Sequence, residues 1–196
     1  MSGPRVAFVR FLEAMDELEI PYMVGGSAAS AVHGIWRATG DVDFVVRLRP
    51  ERIEELVRRL EREYYIDAGQ IRSAIEHDRS FNVIHLASGY KFDLFPLTGD
   101  LFQQTEFRRR RSERGAPLGG DPVELFVATP EDVILSKLRW YRLGGGVSEH
   151  QWNDVLGVIA VQGHRLDMAY LRQWADYLKV SDLLEQAITE RHKPIE

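Results

Sequence analysis

Two carboxylates two residues apart, Asp41 and Asp43, open the apolar run Asp41-Val42-Asp43-Phe44-Val45-Val46. A glycine pair and a serine, Gly25-Gly26-Ser27, close the apolar run before it. On a strand, residues i and i+2 project to the same face, so the two carboxylates share one side of a sheet while Val42 turns to the core. Like charges held that close repel unless a cation lies between them, and carboxylate oxygens are the ligands hard divalent ions take. The glycine pair lets backbone approach an anion closely. A helix opening at Ser27 would aim unpaired N–H groups and the positive end of its dipole at that anion. The pattern suits a triphosphate and its magnesium. Arg37, in the loop before Asp41, is positioned either to reach the phosphates or to stand in solvent.

A third carboxylate follows in a similar setting. Residues 83–86 and 91–95 read as two strands of a hairpin, joined by Ala-Ser-Gly-Tyr with Gly89 supplying the turn. Alternation along the second strand sets Lys91, Asp93 and Phe95 on one face and Phe92 and Leu94 on the other. An aspartate among such apolar neighbours is costly unless a metal or a partner satisfies it.

Gly-Ser, a spacer, Asp-x-Asp on a strand and a later lone Asp on a neighbouring strand together resemble the signature of the nucleotidyltransferase superfamily related to DNA polymerase β. The resemblance implies two magnesium ions held by Asp41, Asp43 and Asp93, with Gly26 and Ser27, next to Gly25, contacting the triphosphate tail of the nucleotide. A second set, the segment 129–138 with Lys137 and then 149–154 with Asp154, is similar to the helical half of AbiEii-type and MenT-type nucleotidyltransferase toxins. That similarity implies a Lys137 ammonium near phosphate and Asp154 beside it, as ion partner or support for the catalytic site. The chain departs from the pattern just before Asp154, where Asn153 stands in place of a basic residue. Lys137, flanked by Ile134, Leu135, Leu138 and Trp140, also fits a stem that runs out of an amphipathic helix into solvent.

The activity so implied is magnesium-dependent transfer of NMP from an NTP to an acceptor hydroxyl. One metal would grip the triphosphate. A second, shared with Asp93, would activate the acceptor, and Asp93 would take its proton. The acceptor is not written in the sequence. The toxin resemblance suggests RNA, such as a tRNA 3′ end, or a protein side chain, together with an antitoxin partner. Aminoglycoside-type small molecules use the same core. From another class, a non-catalytic nucleotide- or RNA-binding module stays open.

The net charge of -5 gives no general attraction to nucleic acid, so the run Arg108-Arg109-Arg110-Arg111, with Arg114, carries the local basic character. It reads either as a solvated face or as a seat for triphosphate or an RNA backbone. The absence of cysteine excludes disulfides, thiolate zinc and a cysteine nucleophile. His33, His77, His85, His150, His164 and His192 show no metal-ligand spacing and read as surface or cap residues. There is no apolar stretch long enough to cross a membrane and no signal-peptide core near the start, which predicts a cytoplasmic protein without a membrane partner.

The positioning elements follow from periodicity. Helices are predicted over 6–18, 27–34, 51–63 and 71–77, and strands over 22–24, 42–46, 64–66, 83–86, 91–95 and 124–128. After Pro130 the pattern is helical alone: 131–141, 150–161, 167–178 and 181–189, with Gly144-Gly145-Gly146 between the first two. The predicted class is α+β: a mixed β-sheet nucleotidyltransferase core over 1–129, with helices on one face, plus a C-terminal helical bundle over 130–196. The cleft between the two is where substrate should lie.

Overall fold

The computed structural model describes residues 3–190, so His192 lies outside the described residues. Among the described residues seven strands build one mixed sheet: β1 (Tyr22–Val24), β2 (Asp41–Val46), β3 (Tyr64–Tyr65), β4 (Phe81–His85), β5 (Lys91–Pro96), β6 (Arg111–Gly115) and β7 (Val123–Val127). Their order is β3-β4-β5-β2-β1-β7-β6. The central pair, β2 and β5, runs parallel, while β1 and β4 flank it antiparallel. The long crossover between β2 and β5 carries α3 (Ile53–Leu60) and α4 (Ala68–Glu76).

Strict alternation decides what each face of the central strands does. Val42, Phe44, Val46, Phe92 and Leu94 are buried on one side. There α1 (Pro4–Glu17) lays Phe8 and Phe11 against them, with Phe11 centred 4.9 Å from both Phe44 and Phe92. Rings of this size dominate the apolar driving force of a small core. The alternate residues Asp41, Asp43, Lys91 and Asp93 are thereby turned to the opposite side. That side receives α2 (Gly26–His33), on which α6 (Pro130–Leu143) and α7 (Glu149–Gln162) pack. The contact is close: a Cβ on Gly34 would lie 2.8 Å from the backbone nitrogen of Val158 on α7. Ile134, Leu138, Val155 and Val158 join Val24 and Val127 in one hydrophobic core. Then come α8 (Met168–Tyr177) and α9 (Ser181–Glu190).

Helices cover both faces of the sheet, α1 on one and α2 on the other, where one covered face was expected, because alternation gives β2 a buried side chain for α1 and a polar face onto which α2 folds. Three more features differ from the sequence expectation. Strand β6 was not anticipated, because Arg-Ser-Glu-Arg-Gly has no apolar alternation; it forms by pairing at the sheet edge with β7. His33 and His85 are buried rather than surface residues. Each ring has a polar partner: Nε2 of His33 lies 2.7 Å from the Ala128 carbonyl, and Nδ1 of His85 lies 2.8 Å from the Ser88 hydroxyl. A hydrogen-bonded neutral imidazole is tolerated in a core.

Where α5 (Leu101–Arg109) meets α6, a carboxyl is enclosed. Glu106 accepts a hydrogen bond from the Ser136 hydroxyl at 2.9 Å. Burial, reinforced by the charge of Asp132, pushes it up to about 8, against the pull of Ser136. The folded state therefore holds a proton that the unfolded chain releases near pH 4.5. The stability this group lends is complete below that pH and is lost as pH rises through about 8, at roughly 1.4 kcal/mol per pH unit. Glu106→Gln should remove that part of the slope, so that urea melts across pH 5 to 8.5 diverge progressively in the variant's favour.

Candidate active site

The carboxylates are brought together by strand register. In the parallel β2–β5 pair Asp43 stands opposite Asp93, and Asp41 opposite Lys91. Asp43 is pushed up to about 6, first by burial and then by the charges of Asp41 and Asp93, with Lys137 and Lys91 working the other way. The Lys91 ammonium lies 2.7 Å from Asp93 and 3.8 Å from Asp41. The Thr39 hydroxyl donates to the Asp41 backbone carbonyl at 2.9 Å, and Tyr90 donates its hydroxyl proton to the Thr39 carbonyl. Among the described residues, no three acidic, His or Cys side chains converge tightly enough to define a metal site in this geometry. The donor set nonetheless fits a hard divalent cation: three carboxylates share one face, two of them with an ammonium between them where a metal's charge would serve the same purpose.

The glycine turn abuts this group. Gly25 donates its N–H to the Asp43 carbonyl at 2.9 Å, and Gly26 has a φ of 54°. A Cβ on Gly26 would lie 1.7 Å from Oδ2 of Asp43, so only glycine fits both the dihedral and the space. From there α2 starts without a side-chain cap, which leaves its first N–H groups to a ligand or water.

On the other side of that first turn lies a second charged group. Asp154, on α7, accepts from Arg37 Nε at 2.8 Å through Oδ1, and through Oδ2 from Arg37 Nη2 at 2.9 Å and Lys137 Nζ at 2.7 Å. Ser27 Oγ accepts from Arg37 Nη2 at 2.7 Å and from Lys137 Nζ at 3.1 Å. Burial would raise the Asp154 carboxyl, but the hydrogen bonds from Arg37 and Lys137 outweigh it and hold the group below the usual carboxylate range. Lys137 is 7% exposed, so it does not run out to solvent. The structure thus joins Ser27, Arg37, Lys137 and Asp154 into one cluster. The basic partners missing beside Asn153 in the sequence come from the α2–β2 loop and from α6.

The arginine run does not form a single cationic face. Arg109 reaches Asp132 at 3.0 Å and Glu131 at 3.4 Å while lying over the Tyr170 ring at 3.8 Å. Arg110 turns the other way, onto the rings of Phe107 and Phe126. Arg111 begins β6, three strands and so about 14 Å across the sheet from β2, and a further strand from Asp93. Near it a polar cavity of about 450 Å³, bordered by His33, Glu113 and Gln162, lies at the far end of α2 and not at the carboxylates.

No protein-family model matches the sequence, and no curated protein matches it. Among solved structures, the chain resembles the solution structure of the antibiotic-resistance factor ANT(2'')-Ia, with a TM-score of 0.53, 15% identity and 94% of each chain covered. It also resembles the crystal structure of ANT(2")-Ia in complex with adenylyl-2"-tobramycin, with a TM-score of 0.52, 13% identity, and 89% of this chain and 95% of that one covered. An antigenic nucleotidyltransferase-like protein from Paracoccidioides brasiliensis gives a TM-score of 0.51 at 17% identity, over 95% of this chain and 93% of that one. The fold is that of the nucleotidyltransferases.

Two stability measurements check this geometry. Gly26→Ala should lose at least about 2 kcal/mol, from the left-handed dihedral and the clash with Asp43. Adding Asp43→Gly should restore the part due to the clash, which a double-mutant cycle in urea reads directly. Asp154→Ala leaves the Lys137 ammonium without its carboxylate and should cost about 3 to 5 kcal/mol. Combining it with Lys137→Met should recover most of that loss.

Proposed function

With the nucleotidyltransferase fold as premise, we propose that the protein transfers a nucleotidyl group from an NTP to an acceptor hydroxyl with the help of divalent cations, magnesium by the chemistry of the donors. The observation that carries this reading is the in-register pairing of Asp43 with Asp93 directly beside the Gly26 backbone, which joins a carboxylate site to an anion seat. A divalent cation bound at Asp41, Asp43 and Asp93 would neutralise charge on the triphosphate and acidify the acceptor hydroxyl. The uncapped first turn of α2, at Gly26 and Ser27, would cradle phosphate oxygens through N–H groups, with Gly25 fastening the turn to β2 through its own N–H, while Arg37 and Lys137 supply positive charge behind them. The acceptor oxygen would bond to the α-phosphorus as the bond to the bridging oxygen breaks. Pyrophosphate leaves, and Asp93 receives the hydroxyl proton.

The acceptor we favour is a small polyhydroxylated molecule. Two of the similar structures are of an antibiotic-resistance factor, one of them holding an adenylylated tobramycin. Of the arginines that would track an RNA backbone, Arg109 is taken up by ion pairs and Arg110 by ring stacking on a different face. The RNA or protein acceptor of a toxin, with its antitoxin, rests on sequence resemblance alone.

Purified protein incubated with labelled NTPs, magnesium and, separately, aminoglycosides or total RNA should label the small molecule. Asp41→Asn or Asp43→Asn should reduce transfer by about a hundredfold, the scale of a lost electrostatic contribution at such sites, while circular dichroism stays unchanged. Transfer at the parent rate by the folded double variant would refute the catalytic assignment.

A further inference from the structure

Lys91 belongs to none of the roles above, yet it pairs with two of the three aspartates. Register sets it directly across from Asp41, and strand alternation sets it beside Asp93 on the same face. Its ammonium is 2.7 Å from Asp93 and 3.8 Å from Asp41. Among the described residues, no other cation forms an ion pair with either aspartate. Its side chain is 39% exposed, so the ammonium has a path into water. The residue type matters. The chain has 21 arginines and 4 lysines, and Lys91 and Lys137 are both at this site. A lysine is a compact charge on a flexible stem. An arginine fork would grip a carboxylate through two bonds and release it reluctantly.

We propose that Lys91 is an internal counter-cation: it holds Asp93 and Asp41 together in the metal-free protein and withdraws when a divalent ion takes its place. The proposal rests on the reading of the three aspartates as a cation site. A lysine in this role stabilises the empty protein against carboxylate repulsion and competes with the incoming metal. It sets the threshold concentration at which the site loads, and is a positioning residue rather than a catalytic one.

Manganese alone, without nucleotide, provides the probe. Titration followed by electron paramagnetic resonance should show Lys91→Met binding manganese about tenfold more tightly than the parent, because a like charge at close range has been removed. The metal-free variant should melt several degrees lower than the parent, on the scale of about 2 to 4 °C per kcal/mol for a chain of this size, and saturating manganese should close that gap. Lys91→Arg, which keeps the charge, should match the parent's metal-free melting temperature and bind manganese no more tightly than the parent. If the parent binds manganese and Lys91→Met binds it equally or more weakly, the counter-cation role is overturned while the carboxylate site stands. If neither protein binds manganese, the cation-site reading falls and this proposal falls with it.

Discussion

The contact between the Gly26 backbone and the Asp43 side chain sets the geometry of everything around it. A helix start and a carboxylate are held closer than any Cβ would allow, and the Gly25 N–H fastens the same turn to the Asp43 carbonyl. That fixes one end of α2 over β2. Its other end is fixed by His33 on the Ala128 carbonyl and by the close passage of Gly34 over α7. Because α6 and α7 pack on α2, the positions of Lys137 and Asp154 follow from a contact made on the sheet. Backbone approach of this kind is rigid, since neither a glycine turn nor a paired strand can yield without losing hydrogen bonds.

Around that turn the charges are sorted by sign. On the sheet side three aspartates face one lysine. On the helical side Arg37 and Lys137 face one carboxylate, Asp154, with Ser27 between them. The first group carries surplus negative charge and the second surplus positive charge, which is the polarity a cation-bound triphosphate requires across its length. Neither group is explained by stability. Burying an ion pair seldom gains over apolar packing, and three carboxylates in mutual repulsion cost the metal-free fold something. The rise of the Asp43 carboxyl to about 6 reports burial first and that repulsion second.

Strand alternation made the sheet-side site readable from sequence: i and i+2 on β2, and Asp93 on a second strand with apolar residues between. Gly25-Gly26-Ser27 was readable because only glycine accepts such a turn. The helical cluster was only half legible. Lys137 and Asp154 could be named, but the pairing of Arg37 with Asp154 joins a loop to a helix 117 positions away, and no local pattern encodes it. The arginine run shows the same limit. Four like residues in a row look like one patch, yet Arg109 and Arg110 leave the backbone at the junction of α5 and β6 in different directions and find an ion pair and two aromatic rings. Strand β6 stayed hidden because an edge strand needs no apolar face, and buried His33 because its partner is a distant backbone carbonyl. Lys91 carried a signal, its i−2 position from Asp93, that gains meaning only once β5 is known to lie beside β2.

The Arg37–Asp154 pair also governs how the two cations beside Ser27 are presented. A loop arginine left free would sample many rotamers, and a ligand would have to order it at a cost of about 0.5 to 1.5 kcal/mol. Here both oxygens of Asp154 hold the guanidinium, and Nη2 is shared with Ser27 Oγ. Lys137 Nζ is held by the same carboxylate and the same hydroxyl. The two cations are therefore preordered on either side of Ser27, before any nucleotide arrives. Their charge is partly offset by Asp154, which weakens the pull on any anion. On the reading proposed above, an arriving triphosphate, with more charge than one carboxylate, would still outweigh that offset. On that reading the arrangement would trade affinity for orientation, a trade that favours turnover where the same seat has to release pyrophosphate.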